Sequence, residues 1–370
     1  MTTESIIPIV MPKWGLSMKE GTLSAWHVEE GQAIKPGQEI MDVETDKIAN
    51  AVEAADSGLL RRRVGQVGAV YPVKALLGVL APAEVSDAEI DEYVRNFVVP
   101  AAGADEDEEG PAYRYIETAS GRLRYAERPG QGNPIILIHG FGGDLNNWLF
   151  NIDAVAEAGP VYALDLPGHG ESVKAIPKPG LDALTDAVEH FMSGLDLKDA
   201  HLVGHSMGGA VAVNLARRGR GLVRSLTLIS SAGLGKEINS GYIEGFTTAE
   251  SRRELKPLLQ ELFADPDLVS RQMIDDVLKF KRLDGVPETL AALAGAMFQH
   301  NSQLNVLSQE LASLNLPVQI IWGAKDAIIP VKHAQEAPKA RVEIIENAGH
   351  MAQMEAASRV NELIRIQAAN

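Results

Sequence analysis

Three side chains spread over the second half of the chain have the types, order and local settings of a nucleophile, a base and an acid. Ser206 stands in Gly204-His205-Ser206-Met207-Gly208. The apolar run Ala200 to Val203 reads as a buried strand and Gly208 to Arg218 as a helix, so the serine is expected on a sharp strand-to-helix turn. Glycines at 204 and 208 suit such a turn, because side chains there would meet neighbouring backbone. The turn presents the hydroxyl at the carboxyl edge of a sheet, with a helix N-terminus aimed at it. A serine hydroxyl is a poor nucleophile until a base takes its proton, and the base needs an acid to orient it. Downstream, the apolar stretch Pro317 to Trp322 runs into Gly323-Ala324-Lys325-Asp326, and Val342 to Ile345 runs into Asn347-Ala348-Gly349-His350. Asp326 and His350 thus each fall just past a predicted strand end. Upstream, Pro134 to Ile138 leads into His139-Gly140-Phe141-Gly142-Gly143. The backbone N–H of Phe141, beside that of Met207, is the expected oxyanion hole for attack on an acyl carbonyl. His139, His169, His201, His205 and His333 are expected to be structural.

The elements that must carry these residues alternate between strand and helix. Gly121 to Glu127, Pro134 to His139, Val161 to Asp165, Ala200 to Val203 and Val223 to Ile229 read as strands, with helical stretches such as Asp182 to Gly194 between them. That rhythm predicts a mostly parallel sheet covered on both faces. It stops from Gly233 to about Leu314, where a helical cap is expected above Ser206. There Val269, Met273, Val277 and Phe280 form an apolar stripe, read as packing rather than substrate contact. A closing helix is expected from about Glu355 to Gln367. With Asp165-Leu166-Pro167-Gly168-His169-Gly170 after the third strand, these motifs resemble the α/β-hydrolase family over about residues 112–370.

The first eighty residues are short strands broken by glycine, with a repeat at a spacing of 37: Gly31 to Ile40 lies over Gly68 to Leu77. Two similar halves predict a small all-β sandwich with quasi-two-fold symmetry. Lys74 stands where the first half has Gly37, so the second turn is expected to differ. Between the halves, Glu44-Thr45-Asp46-Lys47-Ile48 places a lysine at a hairpin tip. This segment resembles the biotinyl/lipoyl domain family over about residues 5–82. Asp46 and Ile48, where biotin carriers typically have methionines, look like the lipoyl branch. The resemblance implies lipoate joined by a ligase to Lys47 through an amide, as a carrier of acyl groups.

Residues 83–111 are expected to connect the two domains. Ser86-x-x-Glu89 is a capping-box pattern before Ile90, Val94 and Phe97, which predicts one short helix. Residues 100–111, with five consecutive acids at 105–109, read as a solvated tether.

Composition bounds what else the chain can do. At 370 residues, two or more domains are expected, and 45% hydrophobic residues suffice for their cores. A net charge of −16 argues against nucleic acid and acidic membrane surfaces. With no cysteine, thiol chemistry must come from a cofactor. No metal site is expected. The start carries no basic, apolar leader and no long apolar window follows, so the expected compartment is the cytoplasm.

A lipoyl-type domain followed by an α/β-hydrolase domain resembles the dihydrolipoamide acetyltransferase components of bacterial acetoin dehydrogenase (acetoin-cleaving) complexes. That resemblance implies acetyl carried on lipoyl-Lys47 and passed to coenzyme A, the acceptor. It also implies thiamine-diphosphate-dependent acetoin dehydrogenase subunits and a dihydrolipoamide dehydrogenase as partners. The His-x-x-x-Asp-Gly site of the usual lipoyl acyltransferases is missing: Asp284-Gly285 comes nearest, with Phe280 in the histidine's place. Arg217, Arg218, Arg220 and Arg224 could meet coenzyme A phosphates but are read as solvated. Two alternatives stay open, a lipoyl-bearing thioesterase or esterase and a carrier with a catalytically silent hydrolase-like domain.

Overall fold

The computed structural model describes residues 6–12, 18–45, 49–54, 56–99 and 113–369. The chain divides into two compact units, Met1–Pro111 and Ala112–Asn370. Lys47 and the acidic tract at 105–109 lie outside the described residues.

The first unit holds eight strands: β1 (Ile7–Val10), β2 (Glu20–Trp26), β3 (Ala33–Ile34), β4 (Glu39–Glu44), β5 (Ala49–Glu53), β6 (Gly58–Arg63), β7 (Val70–Pro72) and β8 (Leu76–Leu80). They form two four-stranded antiparallel sheets, ordered β5-β4-β2-β7 and β1-β8-β6-β3. Their inner faces bury Met11, Leu23, Met41, Val43, Leu60 and Leu77. The 37-residue repeat is written in the hydrogen bonds. The Gly31 N–H donates to Leu60 O at 2.7 Å, and the Gly68 N–H donates to Leu23 O at 2.7 Å. Lys74 keeps the left-handed conformation of its counterpart, with φ 68° against 77° at Gly37, so the second turn is preserved. In the β4–β5 hairpin Glu44 lies opposite Ala49, and residues 46–48 fall between the two strands.

The helix α1 (Asp87–Asn96) begins with the expected capping box of Ser86 and Glu89. It packs on the sandwich. Ile90 is fully buried against Leu76, Val79 and Ala81. Arg61 donates to Pro82 O at 2.7 Å and to Asp87 at 3.0 Å, and Arg62 donates to Asp91 at 2.6 Å.

The second unit is built on one eight-stranded sheet. Its strands are β9 (Tyr113–Thr118), β10 (Gly121–Arg128), β11 (Ile135–Ile138), β12 (Val161–Leu164), β13 (Ala200–His205), β14 (Val223–Ile229), then, beyond the two-residue strands β15 (Phe298–Gln299) and β16 (Ser302–Gln303), β17 (Val318–Gly323) and β18 (Arg341–Ile345). The order is β18-β17-β14-β13-β11-β12-β10-β9. From β12 to β18 every pairing is parallel, and β9 and β10 join antiparallel. Strand β9 has no counterpart in the sequence reading; its exposed-polar, mixed composition gives weak alternation. The helices α2 (Ile152–Val155), α3 (Leu181–Gly194), α4 (Met207–Arg217), α10 (Ala352–Glu355) and α11 (Ala357–Ala368) belong to the sheet layers. Between β14 and β17 come α5 (Ser240–Thr248), α6 (Arg252–Gln260), α7 (Arg271–Lys281), α8 (Val286–Met297) and α9 (Ser308–Ser313). The central strands β11, β13 and β17 are buried along nearly their whole length, as continuous apolar runs in a covered parallel sheet should be. Parallel register sets Ile138 beside Gly204, His205 beside Ile229, Ile229 beside Ile321 and Gly323 beside Ile345. The segments bearing Phe141, Ser206, Asp326 and His350 therefore all leave the same edge.

Candidate active site

Ser206 links β13 directly to α4 with φ 51° and ψ −118°, a conformation that non-glycine residues rarely adopt. Its N–H donates to Ile229 O at 3.0 Å, and its carbonyl accepts from Gly209 and Ala232, each at 2.9 Å. The turn needs glycine at Gly208, because a Cβ there would stand 2.2 Å from Ile138 O and 2.6 Å from His139 O. Position 140 calls for glycine for a related reason: a Cβ there would lie 2.9 Å from His205 Nδ1 and 3.0 Å from the Ser206 Cβ. The loop after β11 thus presses against the serine, and Phe141 lines the same cavity as Ser206. Met207 opens α4, so its N–H is one of the helix's orphan donors.

His350 and Asp326 meet at 2.9 Å between Nδ1 and Oδ2, and both are buried. A carboxylate only accepts, so His350 carries its proton on Nδ1 and leaves Nε2 as the basic nitrogen. The other oxygen, Asp326 Oδ1, accepts from Ile328 N at 2.8 Å and Ile329 N at 2.9 Å. Burial alone would raise the Asp326 pKa, but His350 and these two N–H groups outweigh it and hold the carboxyl below its usual range. The acid therefore stays ionised and fixes the imidazole.

His205 stacks beside this pair, its ring 4.8 Å from that of His350. Its Nε2 donates to the His350 carbonyl at 3.0 Å. Burial, reinforced by neighbouring His350, pushes its pKa down to about 3, so it stays neutral. His139 donates from Nδ1 to Gly140 O at 2.8 Å and accepts at Nε2 from Leu166 N at 3.0 Å, bracing the glycine loop. His201 lies in the sheet between Ser225 and Thr227, and His333 pairs with Glu237.

Ser206 and His350 open into a cavity of about 100 Å³ roofed by the helices of the cap. Its lining includes Tyr242 and Phe246 from α5, Leu259 from α6, and Met273 and Val277 from α7. From the sequence the apolar stripe reads as packing rather than substrate contact; Met273 and Val277 instead line the cavity that holds Ser206, while Phe280 stacks on His169. Among the described residues lining the cavity, none is lysine, arginine, aspartate or glutamate. Arg217, Arg218 and Arg220 stand at the far end of α4, engaged with Asn214, Asp186 and Glu189. Gly285 caps the start of α8, so Asp284-Gly285 is a helix entry.

The matches to known proteins agree with this construction. A family model described as alpha/beta hydrolase fold covers residues 133–357, and one described as biotin-requiring enzyme covers residues 7–79. In solved structures, the second unit resembles a meta-cleavage product hydrolase (CumD), with a TM-score of 0.63 and 23% identity over 69% of this chain and 97% of that one. Carboxylesterase CesB from Bacillus subtilis aligns with a TM-score of 0.61 and 22% identity over 70% of this chain and 92% of that one. These likenesses establish the α/β-hydrolase fold. Over nearly its whole length the chain is 53% identical to the dihydrolipoyllysine-residue acetyltransferase component of the acetoin cleaving system of Cupriavidus necator, covering 99% of each. It is 50% identical to the component of the same name from Pseudomonas putida, covering 96% of each. The chain belongs to this family of acetoin-cleaving-system acetyltransferase components, in which a lipoyl-type domain precedes an α/β-hydrolase domain.

Proposed function

We propose that the protein is the dihydrolipoyllysine-residue acetyltransferase component of an acetoin-cleaving complex and transfers acetyl groups to coenzyme A through Ser206. The observation that carries the chemistry is the buried His350–Asp326 pair, whose histidine lines one cavity with a serine on a strained turn, in a chain with near-full-length likeness to that family. Lys47 would hold lipoate by an amide, and the dihydrolipoyl group supplies acetyl as a thioester.

His350 Nε2 takes the proton of Ser206 as its Oγ attacks an acyl thioester carbonyl. The N–H groups of Phe141 and Met207 hold the resulting oxyanion, each donor contributing about 3 kcal/mol to lowering the barrier. The C–S bond breaks, and His350 returns its proton to the departing thiolate. The apolar cap keeps water from the acetyl-serine. His350 then removes the proton of an incoming coenzyme A thiol, whose sulfur attacks the acetyl-serine; on collapse the C–O bond to Ser206 breaks, His350 returns the proton to Ser206 Oγ, and acetyl-coenzyme A leaves. Asp326 remains ionised throughout and stabilises the imidazolium. Acetyl would be delivered by thiamine-diphosphate-dependent acetoin dehydrogenase subunits, and the dithiol reoxidised by a dihydrolipoamide dehydrogenase, all in the cytoplasm. No helix of the described residues is long and apolar enough to cross a membrane.

The test supplies S-acetyl-dihydrolipoamide with and without coenzyme A. Acetyl-coenzyme A formed by the natural chain and lost in Ser206→Ala is the expected outcome. Free acetate formed equally with and without coenzyme A would instead make it a thioesterase, and unchanged transfer in Ser206→Ala would make the hydrolase domain silent. Intact mass after growth on lipoate should show an adduct that Lys47→Arg abolishes.

A further inference from the structure

The His350 loop is fastened to the cap by a half-buried carboxylate. Glu355 Oε2 accepts from Gly349 N at 2.7 Å, one residue before His350. Its Oε1 accepts from Ala264 N at 2.6 Å, in the turn that follows α6. The same turn reaches back: Leu262 O accepts from His350 N at 2.9 Å and from Met351 N at 3.2 Å. The fit is tight enough that a Cβ on Gly349 would stand 2.7 Å from Ala264 N and 2.9 Å from Leu262 O. Leu262 and Phe263, in this turn, line the cavity that holds Ser206. One side chain thus joins the backbone presenting the base to the backbone shaping the pocket wall. Burial and the nearby Asp326 charge push the Glu355 pKa up, and its backbone bonds at Ala264, Gly349 and Asp265 pull against that. A half-buried acid set near the Asp326 charge is a costly way to fill space unless its bonds are needed.

We propose that Glu355 is a positioning residue that sets His350 against Ser206 and locks the α6–α7 turn of the cap to it. The inference rests on Ser206 and His350 acting as proposed above. Loosening Glu355 lets the imidazole and pocket wall drift independently, which slows acylation of Ser206 and weakens substrate binding together. The charge that acts on Glu355 through space is Asp326, while Asp265 from the cap meets it through its backbone.

The experiment measures the acylation burst with p-nitrophenyl acetate, and labelling of Ser206 by a fluorophosphonate, across pH 5 to 9 in the full-length chain. The variants are Glu355→Gln, which removes charge and one acceptor, and Glu355→Asp, which keeps charge but loses reach. Glu189→Gln, a buried carboxylate engaged by Arg218 and Arg220 on the far side of the unit, is the comparison. The expected result is acylation slowed tenfold or more in both Glu355 variants together with a raised KM, and neither change in Glu189→Gln. Should Glu355→Gln prove insoluble, slowed acylation in Glu355→Asp decides. Acylation within twofold of the natural chain, or a loss matched in Glu189→Gln, would overturn the inference. A natural chain that no fluorophosphonate labels would instead refute the serine mechanism itself.

Discussion

Asp326→Asn tests the proposed mechanism with the least change of shape. In the natural chain Oδ1 is held by the N–H groups of Ile328 and Ile329. An asparagine keeps those two bonds by placing its own oxygen there, which turns its NH₂ group toward His350 Nδ1. A donor in that place forces Nδ1 to accept, so the imidazole proton moves to Nε2. His350 then meets Ser206 with a proton instead of a lone pair. The same inversion in the serine-protease triad lowers kcat about 10⁴-fold, which at about 1.36 kcal/mol per tenfold is roughly 5 kcal/mol of barrier. The Nδ1–Oδ2 distance of 2.9 Å and the burial of both groups argue for the full effect, because no water can enter to substitute for the carboxylate. The assay is stopped-flow acylation together with acetyl-coenzyme A formation from S-acetyl-dihydrolipoamide. A variant within tenfold of the natural rate would show that Asp326 does not set the tautomer of the base.

Three further outcomes follow from packing and titration. His169, His201 and His205 are pushed down to about 3 by burial, well below the ~6.5 of an unfolded chain, so protonation favours unfolding. Their contribution is complete above about pH 6.5 and falls as pH drops, by roughly 4 kcal/mol per pH unit for the three together; urea midpoints alike at pH 7.5 and 5.5 would contradict this. Ile90→Ala should cost the first unit about 2–4 kcal/mol, read in its own melting transition, since Ile90 is the buried side chain of α1. Gly208→Ala should abolish fluorophosphonate labelling, because the added methyl strikes two carbonyls of the loop after β11.

Much of the proposed acyl-transfer centre was legible because its parts are local. A strand, a turn and a helix around Ser206 announce themselves by an apolar run and two glycines, and Asp326 and His350 each follow a strand of the same kind. The repeat of the first unit was readable for the same reason, since Gly31 and Gly68 share both letter and left-handed backbone. What escaped depends on distant partners. Glu355 looks like any acid opening a helix, and nothing in the letters places Ala264 beside Gly349. The ion pairs of Arg61 with Asp87 and of Arg62 with Asp91 exist only once α1 has packed on the sandwich. Met273 and Val277 form an apolar stripe whose destination, core or cavity, periodicity alone does not distinguish.

The interleaving of the first unit bears on how it is born. Strand β1 pairs with β8, and each half lends hydrogen bonds to turns of the other. A nascent chain that has emerged only as far as β4 owns no complete sheet and no closed interior. The sandwich therefore cannot close its two sheets until its last strand, β8, has been made.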